Sequence, residues 1–278
     1  MLPRLSIFVR TLATAAFCWT HLSLQAEGTN TVEIETTGSA DALARQLANP
    51  VAALISVPFQ NNFDFGIGPK DGWRYTLNVQ PVVPFSLNDD WNLISRTIVP
   101  VIHQQDVYGY TSQTGLGDTV QSLFFSPKEP TSGGWTWGVG PVFLLPTATD
   151  GRLGSEKWGL GPTAVALKQE GKWTYGVLAN HLWSVAGHSD RAEVSATFLQ
   201  PFVTYSLGQG QTITAQTETT YDWRNSNWTV PLGLFYGKVT RIGSQMVSIG
   251  GGVRYYGTKP DGAPDWGLRV SLTLLFPR

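Results

Sequence analysis

WGLRVSLTLLFPR, residues 266–278, carries the pattern from which the rest of the chain can be read. Taking every second residue places Trp266, Leu268, Val270, Leu272, Leu274 and Phe276 on one face and Arg269, Ser271 and Thr273 on the other. Alternation of this kind is the period of a β-strand, in which successive side chains point to opposite sides. The apolar face is long enough to cross a bilayer when tilted, which takes ~9–11 residues. The other face carries an arginine, so it must meet water or polar partners.

The same alternation recurs upstream. In WRYTLNVQPVVPFSL (73–87), Trp73, Tyr75, Leu77, Val79, Pro81, Val83, Phe85 and Leu87 share a face, opposite Arg74, Asn78 and Gln80. Segments of this type begin near Ala52, Trp73, Trp91, Gly115, Trp135, Trp158, Trp173, Val194, Thr212, Trp228 and Met246, and with the last one they make about twelve strands. Their connections alternate between mostly tight ones (NDD, PKEPTSGG, EGK, GQGQ, TRIGSQ) and longer polar ones. The longer set is NNFDFGIGPKDG, QDVYGYTSQTG, ATDGRLGSEK, GHSDRAE, DWRNSN and TKPDGAPD. An even strand count with tight turns on one side and loops on the other predicts an all-β fold, a closed antiparallel up-and-down transmembrane β-barrel. Its setting is then a bacterial outer membrane, with both chain termini on the periplasmic side.

Composition agrees. Charged residues make up 14% of the 278, against about 25% in soluble domains. No stretch approaches the ~18 apolar residues of a membrane helix. Residues 1–26 read as an export signal, with Arg4 and Arg10 ahead of a short apolar run and Ala26 at the cleavage point. Without it the formal charge moves from −1 to −3, which gives no general attraction to nucleic acid. The single cysteine, Cys18, lies inside the signal, so the remainder has neither disulfides nor thiolate metal sites. Residues 27–50 form a periplasmic extension, in which SADALARQLANP (39–50) predicts a short helix from the Ser39 cap to the Pro50 stop. We read it as a tether, with a plug at one barrel mouth as the alternative. Residues 51–278 form the barrel.

If the apolar register faces lipid, the other register lines the lumen. This assigns Arg74, Asn78, Gln80, Arg96, Asn180, Glu218, Arg254 and Arg269 to the interior, because an arginine on the lipid side near the midplane costs about 2–4 kcal/mol. The arginines, offset in part by Glu218, predict either a mildly anion-favouring constriction or a side-chain-filled interior. Trp73, Trp91, Trp135, Trp158, Trp173 and Trp228 each start a strand and suit an aromatic girdle at the headgroups. Gly267, Val270, Leu272 and Phe276 match the C-terminal pattern read by barrel-assembly machinery, although Pro277 and Arg278 follow the aromatic. Prolines 81, 84, 100, 141, 162, 201 and 231 fall within strands. Each lacks a ladder donor, so each demands a bulge or a break.

The main rival is a barrel lipid hydrolase. His181 and Ser184 lie three apart and point to opposite faces of a strand, His188 and Ser189 diverge, and His103 stands alone. The His-x-Ser-Asn-Gly arrangement of phospholipase barrels is absent from the sequence, and the expectation is a non-enzyme. Scattered histidines and the lack of a His-Glu-x-x-His helix predict no metal site and no cofactor. Acidic loop residues Asp106, Asp150, Glu156, Asp261 and Asp265 read as solvated charge, with calcium or lipopolysaccharide bridging as the alternative.

NPVAALISVPFQNNFDFGIGP (49–69), GLGD (115–118), TFLQPFVTYSL (197–207) and WTVPLGLFYGKV (228–239) resemble a family of outer-membrane transporters. That family is grouped with the outer-membrane protein of the phenol meta-cleavage degradation pathway. The resemblance runs from about Ala48 to the C-terminus. It implies a porin-like barrel for passive uptake of small compounds, often aromatic or hydrophobic, and brings no set of functional residues. The expected partners are outer-membrane lipid and lipopolysaccharide, the assembly machinery and a small-molecule solute. A non-conducting structural or adhesive barrel is the other alternative.

Overall fold

The computed structural model describes residues 40–277; the signal segment and the Ser39 cap lie outside the described residues. A helix spans residues 40–47. Fifteen strand segments follow: β1 (Ile55–Ile67), β2 (Gly72–Val79), β3 (Val82–Ser86), β4 (Trp91–Gln105), β5 (Ser112–Leu116), β6 (Thr119–Pro127), β7 (Trp135–Leu145) and β8 (Lys157–Glu170). The series continues with β9 (Trp173–Gly187), β10 (Ser195–Gly208), β11 (Gln211–Thr217), β12 (Thr219–Asp222), β13 (Asn227–Ile242), β14 (Gln245–Thr258) and β15 (Trp266–Phe276). Three pairs are collinear halves of one stave: β2 with β3, β5 with β6, and β11 with β12. The wall therefore has twelve antiparallel staves, and it closes where β15 pairs β1 from Phe276↔Ile55 to Trp266↔Phe65.

The breaks fall where proline removes a donor. β2 gives way to β3 at Pro81, and Gly117 bulges opposite Pro100, whose carbonyl accepts the Gly117 N–H at 2.9 Å. Pro231 stands beside a register shift between β13 and β14 and, by the β11–β13 register, opposite the Glu218 gap. Pro141 and Pro162 are cross-strand partners; the β6–β7 ladder skips residues 140–141 and the β8–β9 ladder skips 161–162. The objection raised by the in-strand prolines is thus met by local gaps spread around the wall rather than by an open edge.

The final strand follows the period read from its sequence. Val270 is 54% exposed on the outside, and Arg269 is 7% exposed on the inside. The six tryptophans expected to form a girdle stand at strand starts: Trp91, Trp135 and Trp173 at the tight-turn end, Trp73, Trp158 and Trp228 at the other. Gly267 faces inward, away from the outward Val270, Leu272 and Phe276, and a Cβ there would lie 2.5 Å from Asp64 Oδ1. Two expected loops are shortened, and in QDVYGYTSQTG residues 112–115 belong to β5. The residues NNFDFGI complete β1, and the turn is only a 3-10 segment, Gly68–Lys70. Asn62 and Asp64 alternate with Phe63 and Phe65, so the strand period runs straight through the polar letters.

Residues 40–54 do not hang free of the barrel. Leu43, Ala44 and Leu54 pack with Val239 of β13 and Leu275 of β15. Val51 crosses to the far wall and joins Ile94 and Phe124. Arg45 donates to the Gly171 and Gln169 carbonyls at 2.7 and 3.1 Å, and Asp41 accepts the Gly210 N–H at 2.5 Å. Gly171 and Gly210 belong to two-residue turns, so the segment seals into the tight-turn mouth in the geometry of a plug.

Candidate functional site: the lumen

All eight residues assigned to the interior lie on the inner register, but they do not act alike. Arg269 and Glu218 form a two-pronged pair, with Nη1 to Oε1 and Nη2 to Oε2 both 2.8 Å. Arg269 Nε also donates to Asn62 Oδ1 at 2.6 Å, and its guanidinium lies 5.0 Å from the Phe235 ring centre. Arg254 donates to Asp64 at 2.7 Å and stands 3.7 Å from Glu218; Tyr256 donates to the same Asp64 oxygen at 2.9 Å. Planar guanidinium forks match carboxylates in this way, which is why arginine suits buried pairing. Glu218 is free to turn into the network because it occupies the gap between β11 and β12.

The remaining inner polar residues form chains of neutral amides. Arg74 faces Asp64 across the β1–β2 ladder yet donates to Gln104, which donates to Gln113. Arg96 Nη2 donates to Gln80 Oε1 at 3.0 Å, and Gln80 donates to Gln60 at 2.9 Å. Gln200 reaches Gln216 at 3.2 Å and Gln216 reaches Glu218 at 3.0 Å. Asn78 and Asn180 face inward by register and stand outside these chains among the described residues. Asp64, Asn62, Tyr256 and Phe235 belong to the site but were not in the sequence-derived set. Phe235 lies flat over Gly233 and Gly252; a Cβ on Gly252 would meet Phe235 Cδ1 at 2.6 Å and the Leu234 carbonyl at 2.1 Å. Glycine is required there by close approach.

The inner wall is not polar throughout. Ile94, Phe124, Val165, Leu167, Leu178 and Phe202 form a buried apolar cluster with Val51 on the side formed by β4 and β6–β10. Between the plug and the charged network lies a cavity of about 290 Å³, lined by Gln46, Asn49, Gln60, Gln80, Arg96, Gln200 and Gln216 and by Leu54, Val82, Leu178 and Phe202. At the loop end, residues 146–156 fold inward. Leu153 is buried; Thr149 and Leu153 fill the space over Gly115, and the Leu153 carbonyl joins Ile102 and Pro100 over Gly117. Asp118 accepts from the Ser155 N–H and hydroxyl, both at 2.6 Å, and Arg191 holds the Gly151 and Gly154 carbonyls. The GLGD segment is therefore the seat of this inward loop. Arg152 donates to Asp150 through Nε at 3.0 Å and holds its carboxyl down to about 2.

The histidines have other partners. His181 Nδ1 lies 2.7 Å from Thr197 Oγ1 on the outer face, beside Trp183 and Trp223, and His103 Nδ1 lies 2.6 Å from Thr114 Oγ1. Ser184 bonds Glu193 and the Val194 carbonyl instead. No group of three metal-ligating side chains occurs among the described residues.

Such a structure defines a class: a closed twelve-stave barrel of transmembrane form with a lined lumen. Among solved structures, the chain is similar to an outer membrane channel from Pseudomonas putida F1, with a TM-score of 0.63 at 14% identity over 80% of this chain and 94% of that one. It also aligns with outer membrane phospholipase A from Escherichia coli, with a TM-score of 0.47 at 14% identity over 80% and 90%. At 14% identity the likeness to the channel extends to the fold alone. No protein-family profile and no curated protein matches the sequence.

Proposed function

We propose that this chain is a bacterial outer-membrane channel that passes small solutes through its lumen, with residues 40–54 narrowing the periplasmic mouth. The observation that carries this reading is the cavity of about 290 Å³ within a closed barrel whose exposed outer face is apolar. A twelve-stave wall is wider than the ~8 strands whose interior side chains fill completely. The tight turns, the docked plug and the chain end share one mouth, which we assign to the periplasm; the loops face outward toward lipopolysaccharide. The apolar wall at Leu178 and Phe202 favours solutes with an aromatic or aliphatic body. The similarity to a channel fold supports this reading, and the separate partners of His181 and Ser184 favour it over a hydrolase.

Planar-bilayer recordings test it. Purified chain is expected to give discrete conductance steps, and proteoliposomes faster entry of small aromatics than protein-free vesicles. Silent bilayers together with unchanged uptake would refute the channel reading.

A further inference from the structure

We propose that the chamber above the plug is a binding site for a small organic carboxylate with an apolar body, anchored by Arg96. The inference deepens the channel reading, but its chemistry stands on a charge asymmetry within the lumen. Arg254 and Arg269 are ion-paired with Asp64 and Glu218. Arg96 has one hydrogen bond, to the neutral amide oxygen of Gln80, and among the described residues no carboxylate lies within 4 Å of it. Gln80 is itself fixed by Gln60, so the guanidinium is held in place while donors are left over. A guanidinium has five N–H donors in a planar fork suited to a carboxylate. With one engaged, a two-pronged contact is available.

The chamber supplies the other half of the recognition. It opens on Arg96 and Gln80 and also on Phe202, Leu178 and Val82, so a ligand whose carboxylate meets Arg96 can lay its ring or chain on the apolar wall. Its volume of about 290 Å³ lies just below the usual range of small-molecule sites, ~300–1,000 Å³, which limits the ligand to a small one. Most such sites are mainly apolar with a few placed polar groups; this chamber is mixed, with Gln46, Gln60, Gln200 and Gln216 sharing its wall with Phe202, Leu178 and Val82. A neutral analogue keeps the apolar contact and loses the anchor, and an inorganic anion does the reverse.

The test is equilibrium binding by calorimetry to the full chain refolded in detergent micelles, with benzoate, benzyl alcohol and inorganic phosphate as probes. Benzoate is expected to bind saturably, at least tenfold tighter than benzyl alcohol or phosphate. Arg96→Gln should weaken benzoate at least tenfold and leave benzyl alcohol within twofold. Arg96→Lys, which keeps the charge but loses the planar fork, should weaken benzoate about three- to fivefold and leave benzyl alcohol within twofold, and it serves as the reporter if the glutamine variant fails the heat-modifiability check for folding. Arg152→Gln, on the outer loop, should bind as the parent does. Equal binding of benzoate and benzyl alcohol, absent benzoate binding, or benzoate binding indifferent to Arg96 would each overturn the site. Binding does not require conduction, so saturable benzoate binding in a chain that is silent in bilayers would remove the channel reading and leave the site standing.

Discussion

Arg269 and Glu218 meet fork to fork, across 51 residues of sequence, at two contacts of 2.8 Å. Glu218 also faces Arg254, so one carboxylate from a strand gap ties the last two strands to the far side of β13.

Glu218→Gln should therefore destabilise the barrel strongly. It leaves two buried guanidiniums with Asp64 as their remaining acid, and breaking such a pair costs ~3–5 kcal/mol. Urea unfolding in lipid vesicles measures the loss, and reversal potentials should shift toward anions. An unchanged midpoint would mean that solvent already screens the pair.

Lipid and lumen can be told apart by moving one arginine by one residue. Val270→Arg places a guanidinium on the outer face and is expected to cost about 2–4 kcal/mol if that face is near the bilayer midplane. Ser271→Arg, on the inner register, should be much milder. Refolding yields into vesicles that rank the two alike would contradict the assigned faces.

The plug is held by few directional contacts. Arg45→Ala removes hydrogen bonds to the Gly171 and Gln169 carbonyls, and Leu43→Asp puts a charge among Val239 and Leu275. Both variants should raise mean conductance or opening frequency in bilayers, Leu43→Asp more, with barrel heat-modifiability unchanged. Conductance identical to the parent would show that residues 40–54 do not restrict passage.

On the outer loop, Asp150 should titrate near 2 because Arg152 donates to it. The folded value lies below the ordinary 3.8, so the contact is present above that pH and is lost as pH falls from 3.8 through about 2. Carboxyl carbon chemical shifts followed by NMR should show this midpoint, and Arg152→Gln should return it toward 3.8. Because both side chains reach solvent on an outer loop, where such a pair contributes little, the global unfolding midpoint should not move.

What the sequence revealed followed from period two. β15 shows each side-chain face in its letters, so Arg269 could be assigned inward without knowing its partner. Where polar residues crowd a strand its end is harder to place: the first strand could be followed to Phe65, yet NNFDFGI also read as the start of a loop, and the alternation of Asn62 and Asp64 with Phe63 and Phe65 is what favours the strand. The inner apolar cluster was hidden for the opposite reason. Phe124 and Phe202 do not interrupt an apolar run, and only barrel closure shows that they face the lumen. Long-range packing also places the plug, since nothing near Leu43 in sequence announces Leu275. The pairing of Glu218 depends on the gap made opposite Pro231, a geometric effect that proline's missing donor suggests but does not locate.

The surface that receives Leu43 is built by Val239 and Leu275, from β13 and β15. Those strands come late in the chain, whereas the plug precedes every described strand. The plug can dock only on a wall whose final staves have already been laid down, so its seating marks a completed cylinder. An unfinished barrel would keep that mouth unstoppered.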